Sequence, residues 1–456
     1  MKNKILIYLS GEEIYKKYVQ TKAFAALEGE YDVYYLLENN SRNDKILGLL
    51  QGKTITYDPK LSRFKDKIRK YLVKLFVARA AKHSSTYARG YFAPDGRPRK
   101  KYYLYRLLFN DYIYRVLVYL AEKMIPLDKE LKEKLKPLGL KYMIIPIATP
   151  GNIGIDLIKI CRELGILSVV IPTGWDNASS KLFLYLPPDV ILERGTQNKD
   201  ICEKIFGLKR ERIFRIGVPH YEMYYEFQKK TDREKKRKEY LGRLGIPADK
   251  VVILLGGSLR PFDETSFLIM LDDLIARGLL KDAHVIYRPH PERDARIKEK
   301  SFFDCKFENV TFDGEMRGAY LNHKSGYIPD LRNFLDLYNA IDFIISPFSS
   351  VMVEAGLFGN LILGLACSDG VHAGPNSVQE MSKREHFTYL KKFPWFVECK
   401  EKDRFLEEIN KVLKISQEKG IRQKIKDSLA HIVYHDERSY SRRILESLKT
   451  LERKGA

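Results

Sequence analysis

The sequence predicts an α/β protein of two tandem Rossmann-like domains facing a cleft, and three observations predict it. Short apolar runs recur along the chain, separated by charged segments of helical spacing, so strands alternate with helices. The runs are continuous instead of alternating, as strands covered on both faces require. At 456 residues and 45% hydrophobic content the chain exceeds what one core accommodates.

The first series of runs is KILIYLS (4–10), YDVYYLLE (31–38), YMIIPIAT (142–149), LSVVIPTG (167–174), DVILERG (189–195) and RIFRIGVP (212–219). The second is VVILLGG (251–257), HVIYRP (284–289), NVTFDG (309–314), DFIISP (342–347) and NLILGLA (360–366). Between them the charged stretch 225–250 reads as a surface helix and the crossing between domains. This divides the chain into 1–220, 250–430 and a closing segment, 431–456, expected as a helix that packs back on the first domain. In such sheets ligands sit at the carboxyl ends of the strands.

Other features bound the function. The first strand holds five apolar residues, too few for the apolar region of a signal peptide, and no window approaches 18 consecutive apolar residues. The five cysteines are scattered without CxxC spacing, which argues against disulfides and a zinc site and fits a reducing cytoplasm. A net charge of +21 implies an anionic partner. Between Lys60 and Arg106 stand fifteen Lys or Arg, two Asp and no Glu, interleaved with aromatics. That segment reads either as a basic amphipathic helix seated on an anionic membrane surface or as a solvated helix face.

Five stretches carry chemistry. In YRPHPERD (287–294), Pro289 and Pro291 stiffen the strand exit that presents His290, with Arg288 beside it. In DFIISPFSSVMVEAGLFGN (342–360) a strand and a turn lead into a helix opening on Ser349 and Ser350, where hydroxyls and the positive end of the helix dipole suit a phosphate. No Glu stands three residues after either serine, so there is no capping box; Glu354 lies one turn further on, placed for a ribose diol. LLGGSLRP (254–261) offers a Gly-Gly loop in which Gly257, Ser258 and Arg260 approach a diphosphate, or else a tight turn. PTGWDNASSK (172–181) crowds Trp175 and Asp176 at a strand exit, as a candidate base beside a water-excluding ring or as an Asx-turn with a packed Trp. In SGEEIYKKY (10–18), Glu12 and Glu13 follow the first strand. No Walker A loop, G-x-G-x-x-G or Asp-x-Asp metal clamp is present, so no cofactor or metal is expected, only a nucleotide-linked co-substrate.

The His-Pro pair His290-Pro291 and the Ser-Ser pair Ser349-Ser350, in that order at the ends of successive strands, resemble GT-B glycosyltransferases. The likeness is to the bacterial sialyltransferase-like, Kdo-transferase-like and CDP-glycerol glycerophosphotransferase-like groups, whose two motifs hold the donor phosphate. The resemblance implies a glycosyltransferase that carries a sugar from a CMP- or UDP-linked donor to a surface glycan or lipid-linked acceptor. His290, Ser349, Ser350, Glu354, Arg288, Gly257, Ser258 and Arg260 would line the donor site. Asp176, then Glu12 and Glu13, are the candidate bases, because the acidic-acidic-Gly motif of the sialyltransferase-like families is absent and GEE (11–13) reverses its order. The implied setting is cytoplasmic, at the inner face of an anionic membrane. The alternatives are a CDP-glycerol-type polyol-phosphate transferase, a nucleotide-sugar 2-epimerase-like enzyme and, from charge alone, a nucleic-acid-binding protein; no known nucleic-acid module is legible.

Overall fold

The computed structural model describes residues 2–50, 53–59, 62–92, 103, 111–259, 262–290, 302–316, 330–374 and 377–453. The chain forms two units, Met1–Glu222 with His431–Ala456, and Met223–Ala430.

The first unit is a seven-stranded sheet in the order β3-β2-β1-β4-β5-β6-β7. Its strands are β1 (Lys4–Leu9), β2 (Asp32–Glu38), β3 (Thr54–Tyr57), β4 (Leu140–Ile147), β5 (Leu167–Pro172), β6 (Val190–Glu193) and β7 (Ile213–Arg215), and every pairing is parallel. Side chains of a strand alternate between faces. On β1, Ile5, Ile7 and Leu9 enter one core with Leu27 and Ile144, while Leu6 and Tyr8 enter the other with Phe76 and Met143. Both faces are apolar, which is why these strands read as unbroken runs.

The helix Tyr440–Arg453 completes the first of these cores with Tyr440, Ile444, Leu445, Leu448 and Leu451, a spacing that gathers them on one face. The Arg443 guanidinium fixes the helix by donating to the Ile216 carbonyl at 2.8 Å and to Glu222 at 2.5 Å. Tyr142 donates to Glu452 at 3.1 Å.

In the basic segment, Arg63, Lys67, Lys70 and Lys74 form a solvated helix face, the plainer of the two expectations, but other cations depart from it. The helix Arg63–Ala80 directs Leu72, Phe76, Val77 and Ala80 into the core. Three of its cations turn inward: Lys65 pairs with Asp156, Arg69 with Asp156 at 2.8 Å and Glu122 at 3.3 Å, and Arg79 with Asp111 at 2.8 Å. Charges this buried are held by partners, as desolvation requires. The outward apolar face lies instead on the helix Asp111–Met124, where Tyr112 is 77% exposed and Tyr119, Leu120 and Met124 stand out as well. Most of the second basic stretch, 97–109, lies outside the described residues.

The second unit is a six-stranded parallel sheet in the order β10-β9-β8-β11-β12-β13. Its strands are β8 (Val251–Gly256), β9 (Ala283–Arg288), β10 (Val310–Phe312), β11 (Phe343–Ser346), β12 (Leu361–Leu365) and β13 (Phe396–Cys399). The charged stretch read as a crossing belongs to this unit from residue 223 on. In its helix Arg233–Arg243, capped by Asp232, the buried Arg237 binds Asp342 at 3.0 Å and the Lys250 carbonyl at 2.7 Å. Strands β3 and β13 were not legible as apolar runs. Both are short edge strands, and edges carry polar residues such as Thr54, Thr56 and Glu398.

Candidate functional site

Both sheets have the 3-2-1-4-5-6 order of doubly wound folds, with a seventh strand added in the first. In such a sheet the connections depart in opposite directions from the first and fourth strands, opening a crevice outside their carboxyl ends. In the second unit those strands are β8 and β11. The loop after β8 carries Gly257 and Ser258, the loop after β11 carries Ser349 and Ser350, and His290 lies two residues past the end of β9, beside β8.

Two glycines bring these loops together. A Cβ on Gly256 would lie 3.1 Å from Val351 Cγ1 and 3.2 Å from Ile344 Cδ1, so the helix that follows Ser350 packs flush against the strand end. A Cβ on Gly257 would lie 2.8 Å from the His290 backbone nitrogen and 3.0 Å from Pro289 Cα. The Gly257 N–H donates to the Arg288 carbonyl at 2.8 Å, which ties the β8 and β9 exits. The Gly-Gly pair is thus the meeting point of the histidine and serine segments.

The serine segment is turned outward by strain. Phe348 has φ of +44°, a left-handed conformation that costs a bulky residue about 1–3 kcal/mol and persists only when packing over-determines it. Its buried ring packs edge-on against Phe387 with centroids 5.0 Å apart, above Gly364, where a Cβ would come within 3.1 Å of the ring. Ser350 is the N-cap of the helix Val351–Leu357, yet its side chain makes no capping bond. Among the described residues neither serine hydroxyl has a hydrogen-bond partner, and Ser350 is exposed. Glu354, one turn on, accepts from Tyr224 at 2.9 Å and Tyr338 at 3.4 Å, both through Oε2.

Two expected donor contacts are revised. Arg288 is 4% exposed, bound to Asp313 at 2.6 Å and Glu315 at 3.2 Å, with its guanidinium 3.7 Å over the Phe334 ring. Both carboxylates consume the charge a phosphate would need, so Arg288 braces the strand end. Ser258 is buried, and its backbone N–H donates to Glu264 at 2.9 Å. Arg260 and Pro291 lie outside the described residues.

Sequence reasoning missed two carboxylates that hold this edge. Glu264 is fully buried and also accepts from the Tyr287 hydroxyl at 2.7 Å. Asp369, after β12, accepts from the Asp263 N–H and the His372 N–H, both at 2.8 Å, and meets His372 Nδ1 at 2.6 Å. Burial opposes its charge, but these bonds outweigh it and hold the carboxyl below its ordinary value. Their signal in the sequence was only an acidic residue a few positions past a strand end.

In the first unit the crevice position falls between β1 and β4, which puts Glu12 and Glu13 directly on it. Both are exposed and paired one helical turn on, Glu12 with Lys16 at 2.7 Å and Glu13 with Lys17 at 2.6 Å. The bond from Lys16 lowers the Glu12 carboxyl, the reverse of the tuning a general base needs. Asp176, at the β5 exit, caps the short helix Asn177–Ser180 by position, and its Oδ2 lies 3.2 Å from both Ser180 Oγ and Lys181 Nζ. Trp175 is buried and donates from Nε1 to Gln197 at 3.2 Å, so it is a packed ring. Beside it Asn177 is fully buried, and among the described residues neither of its side-chain amide atoms has a hydrogen-bond partner.

Residues 189–360 match the family model described as CDP-Glycerol:Poly(glycerophosphate) glycerophosphotransferase, a span that contains His290, Ser349, Ser350 and Glu354. The chain is similar to the teichoic acid glycerol-phosphate primase of Bacillus subtilis (strain 168), 26% identical over 183 residues, covering 40% of each protein. Among solved structures it resembles UDP-GlcNAc 2-epimerase from Neisseria meningitidis bound to UDP-GlcNAc, at 12% identity and TM-score 0.53 over 98% of this chain and 100% of that one. It also resembles a glycosyltransferase from Rickettsia africae ESF-5, at 10% identity and TM-score 0.50 over 99% and 98%. At these identities the structural likeness shows the fold, two Rossmann-like domains of the GT-B kind, and the sequence match spans less than half the length of the curated relative.

Proposed function

We propose that the protein is a CDP-glycerol-type polyol-phosphate transferase, which moves a glycerol-phosphate group from a cytidine-diphosphate-linked donor to a hydroxyl of a surface-polymer acceptor. The observation that carries this reading is the family match across 189–360, which runs through both segments that meet at Gly256 and Gly257. It favours polyol-phosphate transfer over the sugar transfer expected from the motifs alone.

In this reading the acceptor oxygen attacks the phosphorus that bears the glycerol, the bond from that phosphorus to the bridging oxygen breaks, and CMP departs with the bond's electrons. His290 and the hydroxyls of Ser349 and Ser350 hold the phosphates and meet the charge that grows on the leaving group. Glu354, within its tyrosine pair, lies one turn towards the nucleoside end. Asp176 takes the acceptor proton, and the proposal invokes no metal.

The acceptor would be reached at an anionic membrane surface. Among the described residues no helix is long and apolar enough to cross a membrane. Support for surface attachment comes from the helix Asp111–Met124, whose exposed Tyr112, Tyr119, Leu120 and Met124 stand on a strongly basic chain.

The test is a calorimetric titration with CDP-glycerol, CDP, UDP and UDP-N-acetylglucosamine. The reading expects binding of both cytidine ligands, weakened at least about tenfold in a Ser349→Ala/Ser350→Ala variant. Binding of the uridine ligands alone would overturn it in favour of a sugar transferase.

A further inference from the structure

The first unit carries a second constellation, at the opposite edge of its sheet from Glu12, Glu13 and Asp176. The last turns of the helix Gly151–Leu164, the end of the helix Thr196–Phe206 and residues 184–187, which lead into β6, all lie at the amino ends of the strands. The helix Asp111–Met124 faces them, and between these elements opens a pocket of about 470 Å³. Sites that bury a small ligand measure about 300–1,000 Å³, so there is room for one.

Val118, Leu184, Leu186 and Phe206 supply apolar walls. The walls are braced: Tyr114 donates to the Tyr185 carbonyl at 3.3 Å and lies under the Arg79 guanidinium at 5.2 Å, while the Tyr185 hydroxyl donates to Glu122 at 3.0 Å. Five basic residues, Arg79, Arg115, Lys123, Lys159 and Arg162, line the pocket against one acidic residue, Glu122. Glu122 is claimed by Arg69 at 3.3 Å and Lys159 at 3.4 Å, and Arg79 by Asp111 at 2.8 Å. Arg115, Lys123 and Arg162 are exposed and form no ion pair among the described residues. Asp189 acts on Arg162 from a distance and is itself bonded to Ser168 at 2.6 Å. Even with Asp111 and Asp189 counted, basic groups outnumber acidic ones by five to three.

The helix Asp111–Met124 joins this pocket to the exposed apolar face. Arg115, Tyr119 and Lys123 stand four residues apart, in one stripe along it. Tyr119, 66% exposed, is at once a wall of the pocket and part of the outward face with Tyr112 and Leu120. A cationic rim, an apolar interior and continuity with that face match one class of ligand, an anionic phospholipid. A small soluble anion has no use for the interior, and a neutral lipid leaves the rim unanswered.

We propose that this pocket binds one anionic phospholipid of the bilayer, whose phosphate meets Arg115, Lys123 and Arg162 and whose acyl chain lies against Val118, Leu184 and Leu186. The inference rests on the surface attachment read from the same helix and adds a lipid preference to it. Because the pocket opens at the amino edge, a lipid held there keeps the carboxyl edge a strand's length from the surface. It therefore positions the unit and is not the reacting acceptor.

The full chain is titrated calorimetrically with dihexanoyl phosphatidylglycerol below its micelle-forming concentration, so that no bilayer is present. Saturable binding is expected, at least about tenfold tighter than that of dihexanoyl phosphatidylcholine and at least about tenfold weaker in Arg115→Gln/Lys123→Gln. Lys67→Gln/Lys70→Gln removes the same charge from another exposed helix face and should change nothing. Dibutanoyl phosphatidylglycerol should bind at least about tenfold more weakly, because two methylenes leave the pocket, and this comparison needs no variant. Equal binding of the two headgroups or of the two chain lengths overturns the proposal, as does undiminished binding in the Arg115/Lys123 variant or the absence of saturable binding. Since the lipid is monomeric, such a failure leaves liposome flotation, and with it the surface attachment, standing. Loss of flotation with monomer binding intact would remove the attachment and keep the pocket.

Discussion

The backbone nitrogen of His290 lies 2.8 Å from the place where a side chain on Gly257 would begin. Cβ atoms do not approach backbone that closely, so Gly257→Ala must push the β8 and β9 exits apart. CDP affinity should fall about tenfold by calorimetry, with only a modest fall in melting temperature. Gly242, in the helix Arg233–Arg243 with nothing within 4 Å of an added Cβ, is the control. Gly242→Ala should leave affinity unchanged and hold or raise stability.

Glu264 bridges the same edge through two buried bonds, from the Ser258 N–H and the Tyr287 hydroxyl. Glu264→Gln sets an amide NH₂ against one of two donors. Chemical denaturation should show a loss of about 1–3 kcal/mol, and an unchanged midpoint would remove Glu264 from the scaffold.

Asp176→Asn keeps the shape of the Asn177–Ser180 turn but cannot accept a proton. Turnover should fall about a hundredfold with donor affinity and melting temperature unchanged. Near-normal turnover would leave Asp176 as a turn residue and move the test to Glu13.

Liposome flotation separates the two candidate membrane faces. Replacing Tyr112, Tyr119 and Leu120 together by serine should reduce binding to phosphatidylglycerol vesicles at least about tenfold without lowering the melting temperature, since these side chains are exposed. Equal flotation of the triple variant would discard the Asp111–Met124 helix as the attachment surface.

Acid should loosen the C-terminal helix. Burial alone would raise the Glu222 carboxyl, but His435 and Arg443 outweigh it and hold the group below its usual 4.5. A group depressed on folding stabilises the protein fully above its unfolded value, and that contribution disappears as pH falls through the folded value. Hydrogen exchange across 440–453 should therefore accelerate, relative to the intrinsic rate, below about pH 4.5. Glu222→Gln should show the faster exchange already at neutral pH.

The alternation of apolar runs with charged helical segments was enough to place eleven of the strands, because strands buried on both faces leave unbroken apolar stretches. The edge strand Thr54–Tyr57 escaped notice because it is only half-buried and alternates Thr54 and Thr56 with apolar residues, and Phe396–Cys399, though buried, because it is four residues long and interrupted by Glu398. Pattern also placed His290 and the serine pair at strand ends, though not at successive ones: β9 and β11 stand on either side of β8 in the sheet, and β10 comes between them in the chain. It did not show that Gly256 and Gly257 bring their loops together, since a glycine's space depends on residues distant in sequence. Arg288 misled for the complementary reason: a cation at a strand end looks available until Asp313 and Glu315, some twenty-five residues on, are seen to hold it. Lys65, Arg69 and Arg79 stood in a segment that read as either a membrane-seated or a solvated helix face, and the acidic partners that turn them inward also come from other elements.

The chain leaves its first unit after Glu222 and re-enters it at His431. On the ribosome, β1 and β4 are therefore synthesised long before the helix that covers them, and the surface formed by Ile5, Leu27, Tyr142 and Ile144 waits for Ile444 and Leu448. The inserted unit is contiguous in sequence, so it can close first, while the earlier-made sheet is still an incomplete intermediate with apolar surface exposed. A nascent chain stalled before residue 440 should be the form most dependent on chaperones. Its dependence should fall sharply over the next fourteen residues rather than in proportion to length.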